Sequence, residues 1–193
     1  SKSVRQGISN SLMVVDMPYN TYNKPSQALK NCKKVMKLTK CDAVKIEGGL
    51  KKIKIIKHLI KNKIPIMGHL GILPQSIKGK FKSKGRSDKE RNELVRDCKL
   101  LEEAGVFSIV LECVERKLSR QITNLIKIPT IGIGSSNSCD GQILVIDDIL
   151  GLTESKMKFV KKFVDAKKLI SYGAKKFKQE VKSKKYPSQK HSY

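Results

Sequence analysis

The chain has 193 residues, of which 41 are Lys or Arg and 17 are Asp or Glu, giving a formal charge of +24. With 39% hydrophobic and 30% charged residues it has a globular composition and enough chain to bury one sizeable core. No apolar stretch approaches the ~20 residues of a membrane helix, and no basic-then-apolar leader opens the chain, so the expected protein is cytoplasmic and has no membrane partner.

In chain order, Val4-Arg5-Gln6-Gly7 reads as the last turn of a helix, and Leu12–Val15 as the first of six apolar runs suited to buried parallel strands. Ser26 to Leu38 follows with Ala28, Cys32, Val35 and Met36 on one helical face, then a strand at Ala43–Ile46. Leu50 to Ile60 carries Ile53, Ile56 and Ile60 opposite lysines and leads into a strand at Ile64–Met67. Lys89 to Ala104 repeats the helical pattern through Leu94, Cys98 and Leu101, and Gly105 is placed to stop it. The remaining strands are predicted at Val106–Leu111, Pro129–Ile133 and Ile143–Ile146. Lys156 to Lys182 predicts a long amphipathic helix or pair of helices, with Phe159, Phe163, Ile170, Phe177 and Val181 on the apolar side. Such a segment packs on the body of the fold or on a neighbouring subunit, the alternative being a membrane-surface helix.

Strand alternating with helix marks a parallel α/β fold. A closed (β/α)8 TIM barrel has eight strands in ~250 residues. With six strands visible, the expectation is an incomplete TIM barrel lacking its first two βα units, the alternative being an open sheet. Residues 1–193 form one expected domain, with 77–88 as a candidate lid loop and 156–193 as C-terminal helices and tail.

The charge invites a nucleic-acid reading, but only six of the 41 basic residues are Arg, and the lysines lie on almost every predicted helix instead of in one stripe. Stacking aromatics are scarce, with no Trp and five each of Tyr and Phe. Solvated helix faces explain the excess better, so no specific nucleic-acid partner is expected; a basic polyanion-binding protein is the alternative. Cys32, Cys41, Cys98, Cys113 and Cys139 form no Cys-x-x-Cys pair, which argues against a disulfide framework or zinc site and for inert thiols.

The most informative residues stand at the ends of the apolar runs. Val44-Lys45-Ile46-Glu47-Gly48-Gly49, Gly68-His69-Leu70-Gly71 and Leu111-Glu112-Cys113-Val114 each put ionisable groups just before glycines or a turn. In an α/β barrel all C-terminal strand ends converge on one mouth, so these side chains can share a site. Each has a plain structural alternative. Asp16 before Met17-Pro18 can end a strand in a turn, Lys45 and Glu47 share one side of a strand and can form an ion pair, and a lone His69 can be a hydrogen-bonded core residue. His58 reads as a helix-surface residue and His191 as a tail feature. Gly132-x-Gly134 does not continue as a dinucleotide-binding fingerprint and reads as a tight turn or a close backbone approach.

Val15-Asp16-Met17-Pro18-Tyr19, Val44 to Gly49, Gly68-His69-Leu70-Gly71-Ile72-Leu73-Pro74-Gln75-Ser76, Leu111 to Val114, and Ile131-Gly132-Ile133-Gly134 with Cys139-Asp140-Gly141-Gln142 together resemble the ketopantoate hydroxymethyltransferase family. The resemblance runs in order from Ser1 to Tyr193 and extends to Tyr186-Pro187 and His191-Ser192. It implies a TIM barrel that transfers a hydroxymethyl group from 5,10-methylenetetrahydrofolate to 3-methyl-2-oxobutanoate, giving 2-dehydropantoate for pantothenate and coenzyme A biosynthesis. It implies Mg2+ stabilising an enolate, with Asp16 and Glu47 as metal-site residues, Asp16, Lys45 and His69 contacting the ketoacid, and Glu112 as general base. It further implies a homo-oligomer, commonly a decamer, and a loop that covers the site; that the lysines of this loop engage the folate's glutamate tail is a hypothesis of its own. The family's Val-Gly-Asp-Ser motif, with a further metal-ligating Asp, does not occur before Asp16, so the 193 residues alone are expected to bind metal poorly and to be inactive or aggregate; an inactive truncated remnant is the alternative.

Overall fold

A computed structural model describes residues 1–76 and 82–193. The chain divides into two compact units, Ser1–Ile143 and Leu144–Tyr193. In the first, α1 (Lys2–Gly7) precedes β1 (Val14–Asp16), α2 (Pro25–Thr39), β2 (Ala43–Glu47), α3 (Ile53–Lys61) and β3 (Ile66–Gly71). Then come α4 (Asp88–Ala104), β4 (Ser108–Glu112), α5 (Arg116–Leu125), β5 (Thr130–Ile133) and β6 (Gly141–Gln142). All neighbouring strands pair in parallel, in the order β1-β2-β3-β4-β5-β6. The α/β class and the parallel six-stranded sheet are as expected; β1 and β6 are its two edges.

The helices begin and end where backbone chemistry favours it. Pro25 opens α2 at a position whose N–H would have no helical partner, and Lys40 closes it in the left-handed region. Ser87 caps α4 by accepting from the Glu90 amide, and Gly105, at φ 93°, ends that helix as anticipated. The helix α5 was not anticipated: its buried positions Leu118, Ser119 and Ile122 include a serine, which interrupts the apolar stripe that would have marked it.

Alternation along the strands separates two environments. Val44, Ile46, Ile66, Ile109 and Leu111 are at most 1% exposed and belong to the core that also takes in Ile56, Leu59, Leu101 and Ile122 of the helices. The opposite face, with Asp16, Lys45, Met67, Val110, Ile131 and Gly141 drawn from all six strands, lines a cavity of about 700 Å³. Gly68 belongs to the helix-facing side, where a Cβ would come within 3.0 Å of Leu101 Cδ1.

Two strands differ most from the sequence reading. β3 runs on to Gly71, carrying His69 within the strand; a Gly-His-Leu-Gly stretch is a weak β signal overridden by parallel pairing with β2 and β4. The last strand is Gly141–Gln142, not Ile143–Ile146. Asp140 Oδ2 accepts from the Thr130 amide (2.8 Å) and hydroxyl (3.0 Å), which brings the residues directly after Asp140 alongside β5. Ile143, Val145 and Ile146 are instead 48%, 52% and 60% exposed. Gly134, directly after β5, makes a tight turn at φ 62°; at Gly132, within β5, a Cβ would meet the Gln142 side chain at 2.8 Å.

The second unit contains α6 (Ile146–Ile149) and α7 (Ala166–Lys182). Residues 156–165, expected to be helical, are not: the Phe163 and Val164 amides donate to the Ile149 carbonyl, and Asp165 caps α7 by accepting from the Lys168 amide. Phe177 packs edge-on against Tyr186, with ring centroids 5.5 Å apart. The candidate lid at 77–88 falls partly on residues 77–81, which lie outside the described residues.

Candidate active site at the carboxyl ends of the strands

The register of the sheet places the ionisable residues side by side. Asp16 pairs with Lys45, Glu47 with His69, and Gly71 with Glu112 across adjoining strands. Lys45 Nζ lies 3.1 Å from Asp16 Oδ1 and 2.9 Å from His69 Nδ1. On the other side of the ring, His69 Nε2 is 3.1 Å from Glu112 Oε2. Asp16, Lys45, His69 and Glu112 therefore form one line of contacts across four strands, and Glu47 Oε1 stands 3.7 Å from His69 Nδ1 beside it. All five residues singled out in the sequence meet in one place.

The environments grade from open to closed. The Asp16 side chain is 56% exposed, Lys45 12% and Glu112 14%, whereas Glu47 and His69 are nearly sealed at 4% and 2%. Burial raises the Glu47 pKa above the ordinary carboxylate value; the neighbouring His69 and Lys45 and a hydrogen bond from the Gln75 amide oppose that rise. His69 Nε2 is buried, yet its approach to Glu112 is not aligned as a hydrogen bond, and it has no hydrogen-bond partner among the described residues. A buried, under-satisfied ring nitrogen beside a carboxylate and facing a cavity is suited to a ligand oxygen.

The loop ends are held by backbone chemistry. Gly71 (φ 95°) leaves no room for a side chain, since a Cβ there would sit 2.2 Å from the Glu112 carbonyl oxygen. Cys113 turns into the left-handed region at φ 51°, ending β4 directly after Glu112. Ser135 Oγ brackets that turn, donating to the Leu111 carbonyl (2.6 Å) and accepting from the Val114 amide (3.0 Å). The Cys113 thiol is pushed up to about 11 by burial and the nearby Glu112 charge, so it stays protonated at neutral pH. Cys32, Cys41, Cys98 and Cys139 are free and buried, as expected of inert thiols.

The sequence reading did not single out Tyr22. Its side chain is buried and its hydroxyl, raised to about 12 by burial and the Glu47 charge, donates to Gln75 Oε1 at 3.1 Å. Neither residue lies in a strand, so no strand-end pattern could mark them.

Asp16 and Glu47 offer hard oxygen donors of the kind magnesium prefers, from neighbouring strand ends. Among the described residues no group of three or more His, Cys, Asp or Glu side chains stands close enough to form a complete metal cage. Magnesium commonly keeps several waters and uses only one or two carboxylates, so the donor set fits it.

Comparison with known proteins decides the family. A profile of ketopantoate hydroxymethyltransferase sequences matches residues 1–189. The chain belongs to the ketopantoate hydroxymethyltransferase family. It is 59% identical over 193 residues to the 3-methyl-2-oxobutanoate hydroxymethyltransferase of Pelagibacter ubique (strain HTCC1062), covering all of this chain and 75% of that protein. The corresponding protein of Sulfurimonas denitrificans is 43% identical over 196 residues, with 74% of it covered. That of Clostridium botulinum (strain 657 / Type Ba4) is 45% identical over 197 residues, with 72% covered. The stretches at residues 15–19, 44–49, 68–76, 111–114 and 131–134 fall on or just after the carboxyl ends of β1 to β5, the same edge that gathers Asp16, Lys45, Glu47, His69 and Glu112.

Proposed function

We propose that this chain transfers a hydroxymethyl group from 5,10-methylenetetrahydrofolate to 3-methyl-2-oxobutanoate, giving 2-dehydropantoate and tetrahydrofolate with consumption of one water. The observation that carries this reading is the contact line Asp16–Lys45–His69–Glu112 at the strand ends. It sets a cation, a ring N–H and a carboxylate around one point, as removal of a proton next to a ketone requires.

Glu112 takes the proton from the branched carbon of the ketoacid. It lies on the cavity side of β4 and is partly exposed, so substrate can reach it. Lys45 meets the negative charge that develops on the keto oxygen or the carboxylate. Its ammonium, already 2.9 Å from His69 Nδ1, needs no large movement to do so. His69 donates from Nε2, the buried nitrogen that lacks an aligned partner. Asp16 and Glu47 would hold a magnesium ion, which when bound supplies Lewis-acid polarisation of the ketoacid. The elevated pKa of Glu47 favours its neutral form, and a cation beside it favours the carboxylate.

The fuller architecture proposed is a TIM barrel of which the six strands are part, in a homo-oligomer. Lys82, which is exposed just after residues 77–81, is proposed to attract the glutamate tail of the folate. The Lys82→Ala substitution is expected to weaken tetrahydrofolate binding and leave ketoacid binding alone.

The test is turnover by the purified protein with ketoacid, 5,10-methylenetetrahydrofolate and magnesium, followed by NMR of the new hydroxymethyl protons. Formation of 2-dehydropantoate supports the reading. Absence of both product and ketoacid binding overturns it.

A further inference from the structure

The two proposed cation-holding acids stand on different strands, and a single residue outside both strands reaches to each. Gln75 follows Pro74 in the loop after β3. Its Nε2 donates to the carbonyl of Met17, the residue directly after Asp16, at 3.1 Å. Its Oε1 accepts from the Tyr22 hydroxyl at 3.1 Å, and its backbone N–H donates to Glu47 Oε2 at 3.2 Å.

The orientation of this amide follows from its partners. A carbonyl can only accept, so the nitrogen must face Met17 and the oxygen is left for the tyrosine hydroxyl. Met17 and Tyr22 are 1% and 4% exposed, so water competes little for either bond. The Met17 amide in turn donates to the Lys45 carbonyl at 3.1 Å. The peptides on both sides of Met17 are thereby fixed, one by β2 and one by Gln75. Lys52 adds a second tie by placing its ammonium 4.9 Å from the centre of the Tyr22 ring.

We infer that Gln75 is a positioning residue that sets Asp16 against Glu47 for a divalent cation, acting through the Met17 carbonyl on one side and through its own N–H on the other. The inference rests on the reading of Asp16 and Glu47 as cation-holding residues. Gln75 need touch neither ion nor substrate. Its side chain fixes the turn that follows Asp16, and its main chain fixes the carboxylate of Glu47. Two acids held at one separation lose less freedom on taking up an ion than two acids that must first find it.

Calorimetric titration with magnesium chloride alone tests this on the unsubstituted protein and on Gln75→Met, which keeps the side-chain length and the backbone N–H but removes both amide bonds. The expected result is a loss of magnesium affinity of about tenfold or more, the range seen when groups that orient metal ligands are removed, in a variant that still melts cooperatively, at a lower temperature because the Met17 carbonyl and the Tyr22 hydroxyl lose their partner. Equal magnesium affinity in the two proteins overturns the role of Gln75. Where Gln75→Met does not fold, Tyr22→Phe decides: it removes one hydroxyl and leaves the Gln75–Met17 bond. A loss of about two- to twelvefold supports the inference, because one outer hydrogen bond is worth about 0.5–1.5 kcal/mol, and unchanged affinity overturns it. Failure of the unsubstituted protein to bind magnesium overturns the cation-holding role of Asp16 and Glu47, and the inference with it, before any variant is compared.

Discussion

Lys45 Nζ lies 2.9 Å from His69 Nδ1, and this contact fixes the tautomer of the ring. An ammonium group only donates, so Nδ1 accepts and the proton of the neutral ring sits on Nε2, facing Glu112 Oε2 at 3.1 Å. Lys45→Met removes that constraint. The expected outcome is a population of Nδ1-protonated ring, seen in the ¹⁵N shifts of His69, together with a fall in kcat/KM for the ketoacid of about a hundredfold.

Glu47 links the site to stability through pH. Its folded-state pKa is raised, chiefly by burial, so the native state holds this proton more tightly than the unfolded chain does. Its contribution to stability is present below the unfolded carboxylate value and is lost as pH rises through the folded value. Glu47→Gln removes the ionisation. The variant is expected to melt higher than the unsubstituted protein at neutral pH, with the difference shrinking as pH falls through the carboxylate range. A melting series against pH checks both the sign and the window.

Gly71 is expected to tolerate no side chain. A Cβ there would lie 2.2 Å from the Glu112 carbonyl oxygen and 2.7 Å from Val114 Cγ2, on a backbone at φ 95°. Gly71→Ala should cost about 2 kcal/mol or more in stability, from left-handed strain and overpacking together. Because the clash falls on Glu112 itself, kcat should drop further than the stability loss explains. Denaturant unfolding and kinetics on the same preparation separate the two effects.

In the core, Leu101 is fully buried between α4 and the sheet, where it packs against Gly68. Leu101→Ala should destabilise by about 2–5 kcal/mol, as truncations in close-packed interiors do. Chemical denaturation is the check.

Much of this was legible in the residues. β-branched runs mark the first five strands, and the amphipathic stripe of Lys89 to Ala104 marks α4, because burial on one face leaves a period in the sequence. The site was legible for a related reason: Lys45 and Glu47 share a side of one strand, and parallel register brings His69 and Glu112 beside them. What escaped notice depends on contacts that have no period. The position of β6 follows from Asp140 capping Thr130. Ile143 to Ile146 looked like a strand although their apolarity serves no sheet. Tyr22 and Gln75 lie 53 residues apart in loops, and only the folded chain brings them together.

The most direct measurement is exchange of the branched-carbon proton of 3-methyl-2-oxobutanoate with deuterated water, followed by NMR with magnesium present and folate omitted. This isolates proton abstraction from the later transfer of the one-carbon unit. The expected result is exchange by the unsubstituted protein and a loss of about a hundredfold to ten-thousandfold in Glu112→Gln, the range general-base catalysis supplies, with ketoacid binding retained. Exchange by Glu112→Gln at the rate of the unsubstituted protein would contradict the role of Glu112, and with it the reading of the strand-end site as the place where the proton is taken.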